Sequence, residues 1–89
     1  MRQRRNRLEL INEILSIVRD KQPIKKTPLL RYSNLSSQRF TEYYSDLLNK
    51  SLIEEEDVKG RLHIVLTEKG YRLLEKYSQI KNIIDEFEL

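Results

Sequence analysis

Residues 26–49 read KTPLLRYSNLSSQRFTEYYSDLLN, and the fold is decided there. Thr27-Pro28 is a helix start, with Thr27 as N-cap and Pro28 at the first helical position, where its missing amide costs nothing. The pattern predicts a short helix over residues 28–33, with Leu29 and Leu30 facing inward. Asn34-Leu35-Ser36 then makes a tight turn in which Leu35 plugs the core and Ser36 caps the next helix. That third helix is expected over residues 37–49. At about 100° per residue, Phe40, Tyr43, Tyr44, Leu47 and Leu48 cluster on one side. Gln38, Glu42, Ser45 and Asn49 lie opposite, flanked by Arg39, Thr41 and Asp46. A short helix, a tight turn and a helix with a polar outer face form a helix-turn-helix.

The flanking sequence completes the fold. Upstream, residues 4–20 form an amphipathic helix that Gln22-Pro23 breaks. Its apolar half carries Leu8, Leu10, Ile11, Ile14, Leu15, Ile17 and Val18. This is wider than the roughly 100° stripe of an ordinary surface helix. The width is expected to serve two surfaces, the domain's own core and a second partner. Ile24 begins a very short strand. Downstream, Leu52-Ile53 begins a strand, residues 56–60 (EDVKG) read as a hairpin loop with Gly60 free to take positive φ, and Arg61–Leu66 return. Alternation puts Leu62, Ile64 and Leu66 on one face and His63 and Val65 on the other. A hairpin directly after the helix-turn-helix makes it winged. Thr67 caps a last helix over Glu68–Phe87. In it Gly70, Leu73, Tyr77, Ile80, Ile84 and Phe87 repeat at heptad spacing, while Tyr71 and Leu74 are placed to pack back on the domain. The expected class is mainly α with a small β-hairpin (α+β), a winged helix-turn-helix with a long C-terminal dimerisation helix. Residues 1–67 form the winged-helix domain, with a basic arm over 1–7, and residues 68–89 a coiled-coil helix in the same compact unit.

Composition narrows the function. The chain has 89 residues, enough for one domain. It has no cysteine, which excludes disulfides and thiolate metal sites. There is one histidine, His63, no Gly-rich phosphate loop and no metal-ligand cluster, so neither an enzyme nor a cofactor is expected. No apolar run approaches the roughly 20 residues that span a bilayer, and no apolar stretch with a cleavage site follows the basic start. A cytoplasmic protein with no membrane partner and no evident small-molecule ligand is expected. Charge is uneven: residues 1–50 carry 11 Lys/Arg against 5 Asp/Glu, a balance of +6, and residues 51–89 carry 6 against 9, a balance of −3. A basic front half suits an anionic partner.

Lys26-Thr27, Asn34-Leu35-Ser36, Leu47, Leu52-Ile53 and Leu66-Thr67-Glu68-Lys69-Gly70 together resemble a family of small archaeal winged-helix proteins. Chromatin-associated proteins of crenarchaea and regulators encoded by their viruses belong to it. The resemblance runs from Leu8 to Ile84. It implies double-stranded DNA binding through the third helix and the wing. It also implies homodimerisation through the C-terminal helix, often as an antiparallel coiled coil. Two departures stand out. Ser51 occupies the place where the family usually has Gly, and Glu54-Glu55-Glu56-Asp57 leads into the wing.

The expected DNA contacts follow from chemistry at each position. Gln38 suits a bidentate pair to adenine, Thr41 a thymine methyl, Arg39 a guanine or phosphate, and Glu42 a cytosine amine. Ser45 shares that face. Ser37 sits at a helix N-terminus, which favours phosphate. Lys25, Lys26 and Arg31 border the second helix, Lys59 and Arg61 the wing tip, and Arg4 and Arg5 the arm, all suited to backbone phosphates. A solvated helix face has the same composition. The expected dimer interface is Leu73, Tyr77, Ile80, Ile84 and Phe87, with Leu10, Ile14 and Ile17 of the first helix. Transcription regulation is the leading reading. A chromatin or architectural protein is its variant, and a dimeric protein-interaction module without DNA binding is its rival.

Overall fold

Asn6 and Glu9 start the chain's first helix with a reciprocal capping box. Asn6 Oδ1 accepts from the Glu9 amide at 2.8 Å, and Glu9 Oε1 accepts from the Asn6 amide at 3.1 Å. A computed structural model of the protein describes residues 6–89. Helix α1 is Arg7–Lys21, so it begins three residues later than its hydrophobic periodicity suggests, because the Asn-x-x-Glu cap fixes its start.

Helix α2 is Lys26–Ser33 and helix α3 is Ser37–Asn49. The start of α2 corrects the sequence expectation. Its N-cap is Lys25, with no side-chain cap bond, and Thr27 and Pro28 lie inside the first turn. The first turn is instead tied to the fold by a tertiary contact that leaves its amides uncapped: the Lys26 ammonium lies over the Tyr44 ring of α3, 4.6 Å from its centroid. Pro28 remains in the first turn, where amides have no intrahelical partner in any case. Between the two helices Asn34 takes the left-handed conformation at φ 62, which Asn tolerates better than most residues. Ser36 caps α3 by accepting from the Arg39 amide at 3.2 Å.

The end of α3 is a Schellman turn. The Ser51 amide donates to Leu48 O and the Leu52 amide to Leu47 O, both at 3.0 Å, with Ser51 held at φ 60. The left-handed residue this turn requires is therefore present, but it is a serine. Thr67 Oγ1 donates to the Ser51 carbonyl at 2.7 Å and accepts from the Gly70 amide at 3.0 Å. Lys69 Nζ donates to the Lys50 carbonyl at 2.9 Å. The Leu-Thr-Glu-Lys-Gly run is thus a clamp between the exit of α3 and the start of the last helix.

Strands β1 (Ile53–Val58) and β2 (Arg61–Leu66) pair antiparallel, from Ile53 opposite Leu66 to Val58 opposite Arg61. Ile24 adds a single antiparallel bridge to Ile64, as a rudimentary third strand. The loop is shorter than its acidic composition suggests. Only Lys59 and Gly60 lie outside the strands, at φ 54 and 79, the two positive values of a type I′ hairpin. Glu56 and Asp57 are paired strand residues. Ile64 and Leu66 are buried as expected, but Leu62 is 54% exposed, because the hairpin projects past the core at that point.

Helix α4 is Glu68–Glu86. A methyl group at Gly70 would stand 2.4 Å from Leu52 O and 2.6 Å from Leu66 Cδ1, so the helix lies against the hairpin as closely as a residue without Cβ permits. The core is built around α1, which packs on α2, β2 and α4. Leu15 and Val18 of α1, Leu29 and Leu47 are fully buried, with Phe40, Ile53 and Ile64 nearly so.

Candidate nucleic-acid interface

Helix α3 has two unlike faces. Phe40, Tyr43, Tyr44 and Leu47 are buried, and Phe40 stacks on Tyr44 with ring centroids 5.6 Å apart. Ser37, Gln38, Arg39, Thr41, Glu42 and Ser45 are all exposed. Gln38, Arg39 and Glu42 make no side-chain hydrogen bond, ion pair or ring contact with any described residue, so their polar groups are unspent. Thr41 differs. Its hydroxyl donates back to the Ser37 carbonyl at 2.8 Å, which leaves the methyl as its outward feature.

The surrounding cations divide into engaged and unengaged groups. Lys25 and Arg31 of the α2 region and Lys59 and Arg61 at the wing tip are exposed and unpaired among the described residues. Lys26 is held over Tyr44. Arg4 and Arg5 lie outside the described residues. Arg7, a member of the expected arm, folds onto the domain: its guanidinium pairs with Asp46 and sits 5.4 Å from the Tyr43 ring centroid.

The acids are managed unequally. Lys50 Nζ bonds both Asp46 oxygens, at 2.7 and 2.8 Å. That bond, with the nearby Arg7 charge, holds the Asp46 carboxyl below the usual carboxylate range. Of the acidic run before the wing, Glu55 accepts from the Tyr44 hydroxyl. Burial, and then that bond to a carboxylate, push the Tyr44 phenol well above its ordinary value. Glu54 and Glu56 sit opposite Val65 and His63 on the other face of the hairpin. The four acids therefore do not act as one block: one is tied inward and two point away from the α3 side. His63 Nδ1 lies 3.1 Å from the Arg61 carbonyl, a local contact within the wing. Among the described residues no group of acids and histidine is arranged to hold a metal ion, and no helix is long and apolar enough to cross a membrane.

The expected dimer interface requires one correction. Leu10 and Ile14 are 2% and 1% exposed, inside the subunit's own core, and Ile17 packs against that core. Helix α1 is apolar over a wide arc because three elements of its own chain surround it. On α4, Leu74 is buried and Leu73 packs on the core, whereas Ile80, Ile84 and Phe87 are exposed, together with Ile83 and Leu89. Tyr71 stays 45% exposed, with its hydroxyl accepting from Gln22 Nε2 at 2.6 Å. A cleft of about 230 Å³ lies between the start of α1 and the distal half of α4, lined in part by Leu8, Tyr77, Ile80 and Ile84.

Sequence reasoning missed the engaged roles of Arg7, Lys50, Tyr44 and Glu55. Arg7 and Asp46 lie 39 positions apart, and no local pattern links them. The Asp46–Lys50 spacing of one helical turn is the one signal that was available.

Several solved structures share this fold. MepR of Staphylococcus aureus, solved in complex with DNA, superposes with a TM-score of 0.73 at 18% identity, over 89% of this chain and 68% of that one. The SSV1 protein F-93 gives 0.63 at 25% identity, over 82% of this chain and 89% of that one. A Listeria innocua protein of unknown function gives 0.67 at 18% identity over 86% of this chain, which spans about half (52%) of that protein's length. No curated protein matches the sequence. The family model described as winged helix-turn-helix matches residues 4–85. With nearly its whole length matched, the chain belongs to the winged helix-turn-helix family.

Proposed function

We propose that this protein binds double-stranded DNA sequence-specifically as a homodimer and regulates transcription. The division of α3 carries the reading: its apolar side is consumed by the core, while Gln38 and Arg39 stand outward with no hydrogen-bond or ion-pair partner among the described residues. In this reading α3 enters the major groove. Gln38 pairs with adenine, Arg39 with guanine or a phosphate, and the Thr41 methyl with a thymine methyl, a role sharpened by its hydroxyl being spent within the helix. Ser37, Ser45 and Glu42 complete the face. Lys25, Arg31, Lys59 and Arg61 neutralise phosphates at its margins, with Arg4 and Arg5 reaching from the arm. Lys26 contributes less, since Tyr44 already holds it. A protein of the same fold, MepR, is known in complex with DNA. The dimer forms through the exposed distal half of α4.

Glu42, Glu54 and Glu56, unpaired among the described residues, favour one second reading, a dimeric protein-interaction module. Selection of duplexes from a random pool at two salt concentrations separates the two. The DNA reading expects an enriched sequence and an affinity that falls steeply with salt, with a logarithmic slope of about −0.9 per phosphate neutralised. Replacing Gln38, Arg39 and Thr41 together by alanine should then weaken binding of the enriched duplex roughly 100-fold. Strong binding without enrichment would instead indicate an architectural protein. Retention of no duplex at either salt would leave the interaction module standing.

A further inference from the structure

The hairpin is tied to the rest of the domain at one rung. On β2 the Ile64 backbone exchanges two hydrogen bonds with Ile24, at 2.7 and 3.1 Å. On β1 its cross-strand partner, Glu55, accepts from the Tyr44 hydroxyl of α3. Beyond that rung the wing is a free arm. Among the described residues, no hydrogen bond, ion pair or ring contact joins residues 56–62 to another element. Lys59 stands four residues further out than Glu55, about 13 Å along an extended strand. A tilt of roughly 20° at the rung would carry the tip about 4–5 Å, more than a hydrogen bond tolerates. What is fixed at Glu55 therefore decides where the wing cations lie.

Tyr44 is suited to fix it. The residue is 4% exposed, Phe40 stacks on its ring and the Lys26 ammonium lies over that ring. A ring packed in this way leaves its hydroxyl few alternative positions. Burial raises the phenol above its ordinary value, so the hydroxyl keeps its proton and remains a donor. Glu55 is exposed, and the Tyr44 hydroxyl is its one hydrogen-bond partner among the described residues. Helices α2 and α3 and strand β1 thus meet at a single side chain.

We infer that Tyr44 is a positioning residue for DNA contact, and that its bond to Glu55 sets the angle between the wing and α3. The inference rests on the duplex-binding reading above and deepens it, giving a task to an acid at the base of a phosphate-binding wing. A wing held at a fixed angle presents Lys59 and Arg61 to the sugar-phosphate backbone without an ordering cost at the moment of binding.

Charge and positioning predict opposite signs at Glu55. Removal of an acid near phosphates should by itself strengthen duplex binding. Positioning predicts that Glu55→Ala weakens it about fivefold, as does Tyr44→Phe, which keeps the ring. Glu55→Gln retains an acceptor and should bind at least as well as the native chain. Glu54→Ala and Glu56→Ala, on the other face of the hairpin, should hold or raise the affinity. In a Lys59→Ala/Arg61→Ala background, Tyr44→Phe should change affinity by less than about twofold, because no wing cations remain to be placed. A merely structural loss would persist in that background. Tighter binding by Glu55→Ala, or an undiminished Tyr44→Phe loss without the wing cations, would overturn the inference. A second readout uses no DNA. The chain has no cysteine, so spin labels at Lys59→Cys and Ser45→Cys, diluted with unlabelled chain, report the distance from wing tip to α3. Its distribution should broaden in Tyr44→Phe and in Glu55→Ala. An unchanged distribution would overturn the inference even where the native chain binds duplex, so its failure is distinct from failure of the α3 reading.

Discussion

Helices α3 and α4 both begin at a side-chain hydroxyl cap and both carry an apolar stripe, but they complete their burial differently. Every large apolar residue on α3 is covered by its own chain, wholly or in part. On α4 the cover stops partway: Gly70 and Leu74 are buried, while Ile80, Ile83, Ile84 and Phe87 stand 41–64% exposed. What each helix leaves open differs in kind. On α3 it is hydrogen-bonding groups, which suit a hydrated polyanion. On α4 it is a contiguous apolar strip, which suits a second apolar surface. A stripe read from sequence predicts that something will cover it. Whether that cover belongs to the same chain depends on where neighbouring elements end.

The comparison breaks most sharply at Phe40. It is 2% exposed and stacks on Tyr44, so Phe40→Ala should cost about 3–5 kcal/mol, the usual penalty for emptying a buried aromatic site. That is a large share of the roughly 5–15 kcal/mol available to a small domain. Gln38→Ala, two residues earlier and fully outward, should stay within about 0.5 kcal/mol. Urea unfolding at fixed protein concentration measures both. Similar losses for the two variants would mean that the faces of α3 are not divided as described.

Gly70 is the corresponding test for α4, because it sets the seated half of the helix against the hairpin. Alanine is the better helix former by about 1 kcal/mol, and that gain opposes any clash. But the obstacle is the Leu52 carbonyl oxygen, 2.4 Å from the added carbon, a backbone atom held by the Thr67 amide and hydroxyl. Overpacking typically costs about 1–3 kcal/mol, so Gly70→Ala should destabilise by about 2 kcal/mol at most. A net gain in stability would show that α4 is less tightly seated than its contacts imply.

Much of this was legible in the sequence where the signal was local. The bounds of α3 follow from Ser36 and a helical period, and the return strand follows from alternation. The misreadings have one physical source, which is that a local pattern does not name its partner. The broad apolar arc of α1 resembled a surface shared with another subunit. Leu10 and Ile14 are buried because α2, β2 and α4 all converge on that helix. Thr27-Pro28 resembled a cap, but α2 starts two residues before it at an N-cap, Lys25, whose side chain makes no cap bond, and its first turn meets α3 through Lys26 over Tyr44, 18 positions away along the chain. Glu56 and Asp57 resembled loop residues because acids are poor strand formers. The two-residue turn at Lys59-Gly60 nevertheless keeps them in the ladder. On the outer face of α3 the residues were legible but their state was not, since the bond from the Thr41 hydroxyl to Ser37 depends on a rotamer.

The smallest effect lies at the joint between the two helices. Ser51 carries the left-handed turn that ends α3, and its carbonyl accepts the hydroxyl that caps α4. A residue with Cβ pays roughly 1–2 kcal/mol for that conformation. Glycine removes the penalty but gives back about 0.5–1 kcal/mol through the greater freedom of its unfolded chain. The serine side chain makes no hydrogen bond with any described residue, and both backbone bonds survive the change. Ser51→Gly should therefore stabilise the domain by about 0.5 kcal/mol, with no change in duplex affinity or in the dimer constant. A loss of stability would mean that the serine hydroxyl holds something at this joint. The exit of α3 and the entry of α4 would then be coupled through that side chain, and not through the backbone alone.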